Sequence, residues 1–192
     1  DDLNISRQKD NDEHYQSGFF QNKYGFQLGF KGDLNNLSYL FEYNQVQPYT
    51  YGHRTILQNY SHMNQALAHP LGANFKEVIG VIGYKRSNWN YRLKSLFAFA
   101  GLDSLGTHYG QDIFQSDNDA STGGQYSYGN YNGQGFGTVI ISLDAEVVLQ
   151  LESVDIFGVI SLRNKKSDLL DQTSIYYSLG IRNFPFTNFF DY

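Results

Sequence analysis

Cysteine is absent from the 192-residue chain. That excludes disulfide frameworks, Cys-ligated zinc and thiol nucleophiles together. Long apolar runs are missing too: no stretch approaches the ~18 residues that a membrane-spanning helix needs. Basic residues are sparse, 14 Lys and Arg against 19 Asp and Glu for a net charge of −5. None of them form a stripe, so nucleic acid is not an expected partner. The opening Asp1-Asp2-Leu3-Asn4 lacks the basic start and apolar core of a secretion signal. A mature form, a fragment and a cytoplasmic chain all remain compatible with it. Enzyme signatures are equally lacking, with no nucleophile elbow, phosphate-binding loop, HExxH or dinucleotide fingerprint. Ser61-His62 is a sequence neighbour pair, and chain neighbours rarely form a nucleophile–base pair. A barrel lipid hydrolase is the residual enzymatic alternative, because catalytic triads need no sequence proximity. The expected protein is not an enzyme.

What is abundant is Tyr (16), Phe (15) and Gly (19), a composition suited to pleated sheet rather than helix. From Lys23 the alternation is strict. Tyr24, Phe26, Leu28 and Phe30 share one face, and Lys23, Gly25, Gln27, Gly29 and Lys31 share the other. This period of two marks a strand with one apolar side. The pattern recurs with Leu37, Tyr39, Phe41 and Tyr43, and a third strand, rich in Val and Ile with Gly80 and Gly83, is expected over about 75–86. Trp89, Tyr91, Leu93, Phe97 and Phe99 form a fourth apolar row, and Val139, Ile141, Leu143, Ala145 and Val147 a fifth. Strands six and seven fall near 154–163 and 173–183, the latter with Ile175, Tyr177, Leu179 and Ile181 on its apolar side. Helical character is expected at most for a turn or two near Met63–Ala68.

Strands of about 9–14 residues exceed the ~5–6 typical of soluble sheets and match the ~9–11 of membrane barrels. Short turns at 32–36, 87–88 and 150–153 alternate with longer links at 47–74, 101–134 and 164–172, as in outer-membrane barrels. Lys23, Glu42, Arg92, Lys94, Asp144 and Glu146 all lie opposite the apolar rows. The expected fold is therefore all-β, an antiparallel transmembrane β-barrel of about seven long strands, part of a larger barrel. Residues 1–21 would be an external loop or N-terminal segment, and 22–192 the barrel strands with external loops 47–74 and 101–134. A soluble antiparallel sandwich is the competing architecture. With long loops outside, an odd strand count puts the N-terminus outside, so closure against another segment or another chain is expected.

Pairing Ala100 with Phe136 would set Arg92 opposite Asp144 and Asn90 opposite Glu146, a lumenal charge pair with the register open by two residues. Loop 47–74 carries Tyr49, Tyr51, His53, Arg54, Tyr60, His62 and Asn64, and these are the candidate contacts for a glycan or a protein partner. Aromatic faces stack on sugar rings, while amide and guanidinium groups bond hydroxyls. His53, His62 and His69 are spaced by nine and seven, which fits no ligand pattern, so no metal and no cofactor are expected. Asp117-Asn118-Asp119-Ala120-Ser121 places oxygens at alternate positions like a calcium loop, but Thr122 and Tyr128 stand where Gly and Glu belong.

The runs Pro48-Tyr49-Thr50-Tyr51-Gly52-His53-Arg54 and Gln58–Asn74, with the ending Asn188-Phe189-Phe190-Asp191-Tyr192, resemble large outer-membrane proteins of the Bacteroidetes. These are classed with capsule-assembly (Wzi-like) proteins, some of them linked to gliding motility. The resemblance covers roughly 22–192. It implies a many-stranded barrel in the bacterial outer membrane that retains or organises surface polysaccharide, or supports adhesion and motility. It implies outer-membrane lipid, surface polysaccharide and further barrel segments or subunits as partners, and carries over no catalytic residue. A structural subunit of a secretion or motility complex is the alternative role.

Overall fold

The structure is a computed structural model. It describes residues 18–63, 65–103, 108–117 and 128–183. The long strands are β1 (Gly25–Leu34), β2 (Leu37–Val46), β5 (Phe75–Arg86), β6 (Trp89–Leu102), β7 (Phe136–Gln150), β8 (Asp155–Lys166) and β9 (Asp171–Arg182). They form one antiparallel sheet in the order β1-β2-β5-β6-β7-β8-β9. Two short strands, β3 (Ser61–His62) and β4 (Gln65–Ala66), make a separate hairpin within the β2–β5 connection. The fold is all-β.

Each of the seven expected strands is present, and the registers join their apolar rows into one face. Phe30 pairs with Phe41, Tyr39 with Ile82, Ile82 with Leu93, Leu93 with Ala145, Ala145 with Ile160 and Ile160 with Tyr177. Directly opposed residues point to the same side. Charge reaches this face only at its margins: Arg86 beside Trp89 at one end, and Lys76 and the Lys166–Asp171 pair at the other. Glu42, Arg92, Lys94, Asp144, Glu146 and Arg163 all lie on the opposite face.

Exposure is inverted relative to a soluble sheet. On β7 the apolar Ile141, Leu143 and Val147 are exposed, 38–41%. The intervening Ser142, Asp144 and Glu146 are only half-exposed. Leu28 and Leu179 at the borders reach 70% and 86%. Phe26, Phe41, Leu93 and Ile141 do not meet in a shared interior, since each is 40–49% exposed. Apart from Val148, the buried residues instead gather at one end of the sheet, where the connections fold over the polar face. Val46, Phe75, Ala100 and Thr138 lie on that face and are covered there.

Three expectations need correction. The β6–β7 register is slipped by two residues from the one drawn above. Ala100 faces Thr138, Arg92 faces Glu146, and Asp144 faces Lys94 rather than Arg92. The slip preserves every residue's face, which is why alternation cannot detect it. Met63–Ala68 holds the turn and second strand of a hairpin, not a helical turn, and Met63 takes φ 48°. The helical piece is a short 3-10 turn at Ile56–Gln58. Finally, the β8–β9 link is 167–170, as short as the 151–154 link, because both strands extend into the polar stretch. Long connections are thus confined to 47–74 and 103–135, at the same end.

Among the described residues the sheet is open, with β1 and β9 each paired on one side only. As first and last of an odd-numbered antiparallel series they run in the same direction, so a direct seam between them would be parallel.

Because the chain has no native cysteine, the register is open to a cross-linking test. Arg92→Cys with Glu146→Cys should form a disulfide readily, since facing strand residues lie ~4.5–5.5 Å apart. Arg92→Cys with Asp144→Cys should not, since diagonal neighbours are ~7–8 Å apart. Non-reducing electrophoresis separates the two results.

Candidate functional site

Three segments converge on the capped end: residues 18–24, connection 47–74 and the described parts of connection 103–135. A polar loop stays folded only if its backbone groups find partners, and here asparagine side chains supply them. Asn74, fully buried at φ 64°, donates to Gly101 O (2.9 Å) and Gln134 O (2.8 Å) and accepts from Gly133 N–H (2.7 Å). Asn59 donates to Ile113 O and Gln115 O (3.1 Å) and accepts from His53 N–H (2.5 Å). Asn132 donates to Val46 O (2.5 Å) and Phe75 O (3.2 Å) and accepts from Gln45 (3.1 Å). Each amide ties three chain positions together.

Ionic and aromatic contacts reinforce the cap. Lys23 Nζ donates to Gly52 O (2.8 Å) and pairs with the buried Asp117, joining all three segments at one point. Phe19, Phe20 and Tyr49 form a buried cluster against Tyr128. His69 stacks on Phe75 at 4.4 Å and places Nε2 3.2 Å from Glu77. Asp103 accepts backbone N–H bonds from Tyr109 (2.7 Å) and Asp112 (3.2 Å) and lies 3.7 Å from His108. Burial pushes the Asp103 carboxyl up, but these donors outweigh it and hold the group below its ordinary value.

The candidate residues of loop 47–74 divide by position. Tyr49 is wholly buried, with φ 62° and its hydroxyl donating to His108 O (2.5 Å). It is a structural anchor, so the expectation that it offers a surface contact is corrected by its burial. A Cβ at Gly110, itself at φ +81°, would come within 2.4 Å of the Tyr49 backbone. Tyr51, His53 and Tyr60 do come together, on the wall of a cleft of about 350 Å³. Tyr51 and Tyr60 stack at 5.8 Å with planes 19° apart, and Tyr60 is 55% exposed. Burial raises the Tyr51 hydroxyl above its ordinary value, partly offset by a backbone hydrogen bond at His69. Arg54 and His62 are exposed. Neither lines the cleft. Asn64 lies outside the described residues.

Gln21, Lys23, Thr50, Gln58, Asn59 and Ser61 also line the cleft and were not singled out from sequence. Gln21 and Lys23 belong to a segment read as loop or first strand, with no local signal that it folds back on residues 50–61. Among the described residues no group of three metal-ligating side chains exists. Asp117, first of the calcium-like run, is committed to Lys23. Residues 118–127 lie outside the described residues. On the sheet below, Glu146 sits between Arg92 (3.8 Å) and Arg182 (3.6 Å), and Arg182 covers the Phe157 ring at 4.7 Å. These pairs are exposed enough that each contributes little.

No family model matches the chain, and neither a curated protein nor a solved structure matches it. The functional reading therefore rests on the chain's own chemistry.

Asn59→Ala should destabilise the cap by about 1–3 kcal/mol, because it strands buried carbonyls at Ile113 and Gln115. Urea titration reads that loss, and the exposed Gln65→Ala serves as a neutral control. The Asp103 effect has a definite sign. A carboxyl held below its unfolded value of ~3.9 contributes stability above that pH and loses it as pH falls through the folded value. Hydrogen-exchange protection of Tyr109 and Asp112 should thus drop on acidification below about pH 4, and Asp103→Asn should flatten that dependence.

Proposed function

We propose that this sheet is a segment of a bacterial outer-membrane β-barrel, with its apolar face against lipid and its cap on the external side. The observation that carries this reading is the inverted exposure: apolar rows bare, polar rows half-covered, and the loops folded over the polar side. A soluble sheet would place its covering on the apolar side. The dimensions agree. Trp89 to Phe99 covers ten residue steps of ~3.3 Å, about 33 Å along the strand and about 25 Å upright at a ~40° tilt, the height of a barrel's lipid band. Charges mark both margins, and Tyr84, Tyr91 and Trp89 stack at one of them as an interfacial aromatic girdle does.

Backbone groups cannot stay unpaired in hydrocarbon. Further strands therefore complete the barrel between β9 and β1. Because those two borders run the same way, an odd number of additional strands makes every seam antiparallel. An identically oriented second copy would leave parallel seams.

The cap's role is to contact surface polysaccharide, retaining or organising it, or supporting adhesion and motility. The cleft beneath Tyr51 and Tyr60 and the exposed His62 and Arg54 support that role. A second reading, a structural subunit of an outer-membrane secretion or motility complex, is favoured by the two unpaired borders, which accept strands from another polypeptide.

Trp89 is the single tryptophan and sits on the apolar face, 42% exposed. In vesicles carrying lipids brominated near the headgroup, its fluorescence should be strongly quenched, and an unquenched signal would refute the lipid contact. Leu93→Arg should cost roughly 2–4 kcal/mol in bilayers. Asn90→Arg, on the other face, should stay within about 0.5 kcal/mol. Tyr60→Ala cells that retain surface polysaccharide normally would count against the cap's proposed role.

A further inference from the structure

The cleft's lining specifies a ligand class more narrowly than polysaccharide in general. Its one Lys, Lys23, already pairs with the Asp117 carboxylate and donates to Gly52 O. A carboxylate or sulfate entering the cleft would find no uncommitted cation there and would approach the buried Asp117 charge. Arg54 lies outside the lining. His53 also lines the wall, its Nδ1 accepting from Thr55 N–H (3.5 Å). The other polar groups on offer are uncharged, the amides of Gln21 and Gln58 and the Tyr60 hydroxyl, which have no hydrogen-bond partner among the described residues. Asn59 and Thr50 use their side chains within the cap. Tyr60 is held flat against Tyr51, leaving its other face to solvent. An aromatic plane fixed by its neighbour, flanked by neutral donors and acceptors, suits the apolar face and hydroxyl rim of a pyranose ring. The volume of about 350 Å³ lies at the small end of ligand sites, which typically span ~300–1,000 Å³.

We infer that the cleft formed by Gln21, Tyr51, Gln58 and Tyr60 binds a neutral sugar unit, stacked on the free face of Tyr60, and discriminates against uronic or sulfated sugars. This rests on the polysaccharide role proposed above and adds to it a position and a charge preference. Discrimination follows from desolvation: an anionic sugar would give up hydration without an unpaired cation to replace it.

The test uses the chain purified from membranes together with the strands that close it, reconstituted in lipid nanodiscs and titrated by calorimetry with maltohexaose, mannohexaose and a galacturonic acid hexamer. The expected result is binding of at least one neutral hexamer, little changed by added salt, with the acidic hexamer at least ten-fold weaker. Tyr60→Ala should weaken neutral binding ten-fold or more, while Tyr60→Phe, which keeps the stacking plane, should lose only a few-fold. Trp89 quenching by brominated lipid checks that each variant is folded. Binding of the acidic hexamer alone, weakening as salt rises, would overturn the neutral assignment and leave the polysaccharide role standing. Neutral binding indifferent to Tyr60→Ala would overturn the cleft as its site. No saccharide binding by a lipid-quenched chain would overturn both the cleft assignment and the polysaccharide role without touching the barrel.

Discussion

A one-residue slip in the β2–β5, β5–β6 or β6–β7 pairing would carry Arg92, Asp144 or Glu42 onto the side that holds Leu93, Ile141 or Phe41. The whole sheet depends on that not happening. Side chains alternate across a strand with a period of two, so each pairing either aligns two apolar rows or mixes them. Six consecutive alignments give one face of Phe, Leu, Ile, Val and Tyr, and an opposite face that carries Glu42, Arg92, Lys94, Asp144, Glu146 and Arg163 among apolar residues such as Leu40, Ile79, Val81 and Leu96. Tight turns help to hold the alignment. Asn35 and Ser87 both adopt positive φ, fixing the β1–β2 and β5–β6 connections at two residues.

The second consequence of this segregation is where the protein keeps its interior. A sheet with no second layer cannot bury its side chains against one, so the buried cluster moves to the end where the long connections lie. That interior combines two small apolar clusters, Phe19–Phe20–Tyr49 and Val46–Ala73–Phe75–Ala100, with a network of amide-to-backbone hydrogen bonds. Asn59, Asn74 and Asn132 do there what a hydrophobic layer does elsewhere: they fix loops relative to strands. Three convergent donors and acceptors per residue make this rigid in a way that a Gly- and Asn-rich composition does not suggest.

The seven strands, their apolar faces and the sidedness of the charges were legible in the sequence, because a period of two is local and Tyr24–Phe30 or Val139–Val147 display it unbroken. The Arg92 partner was not legible, because a two-residue slip leaves the pattern identical. Nor was the β8–β9 link, where polar Lys165 and Lys166 continue a ladder that hydropathy alone ends early. In the cap, Tyr51, His53 and Tyr60 stood out by residue type, and the structure places them on one cleft wall. Tyr49 stood out for the same reason and proved to be an anchor, since residue type is blind to burial. Lys23, Gln21 and Asn59 were missed because their partners lie far along the chain: Lys23 meets Asp117 across 94 residues.

That last separation bears on how the molecule comes to be folded. Closing a loop of such length is entropically unfavourable until intervening segments are already in place. Lys23 can reach Asp117, and Gly18 can reach Asn130, only after β1, β2, β5, β6 and β7 stand side by side. The knot of contacts at the capped end therefore depends on the pairings that bring β1 and β6 into place, and a mispaired strand between them would pull it apart.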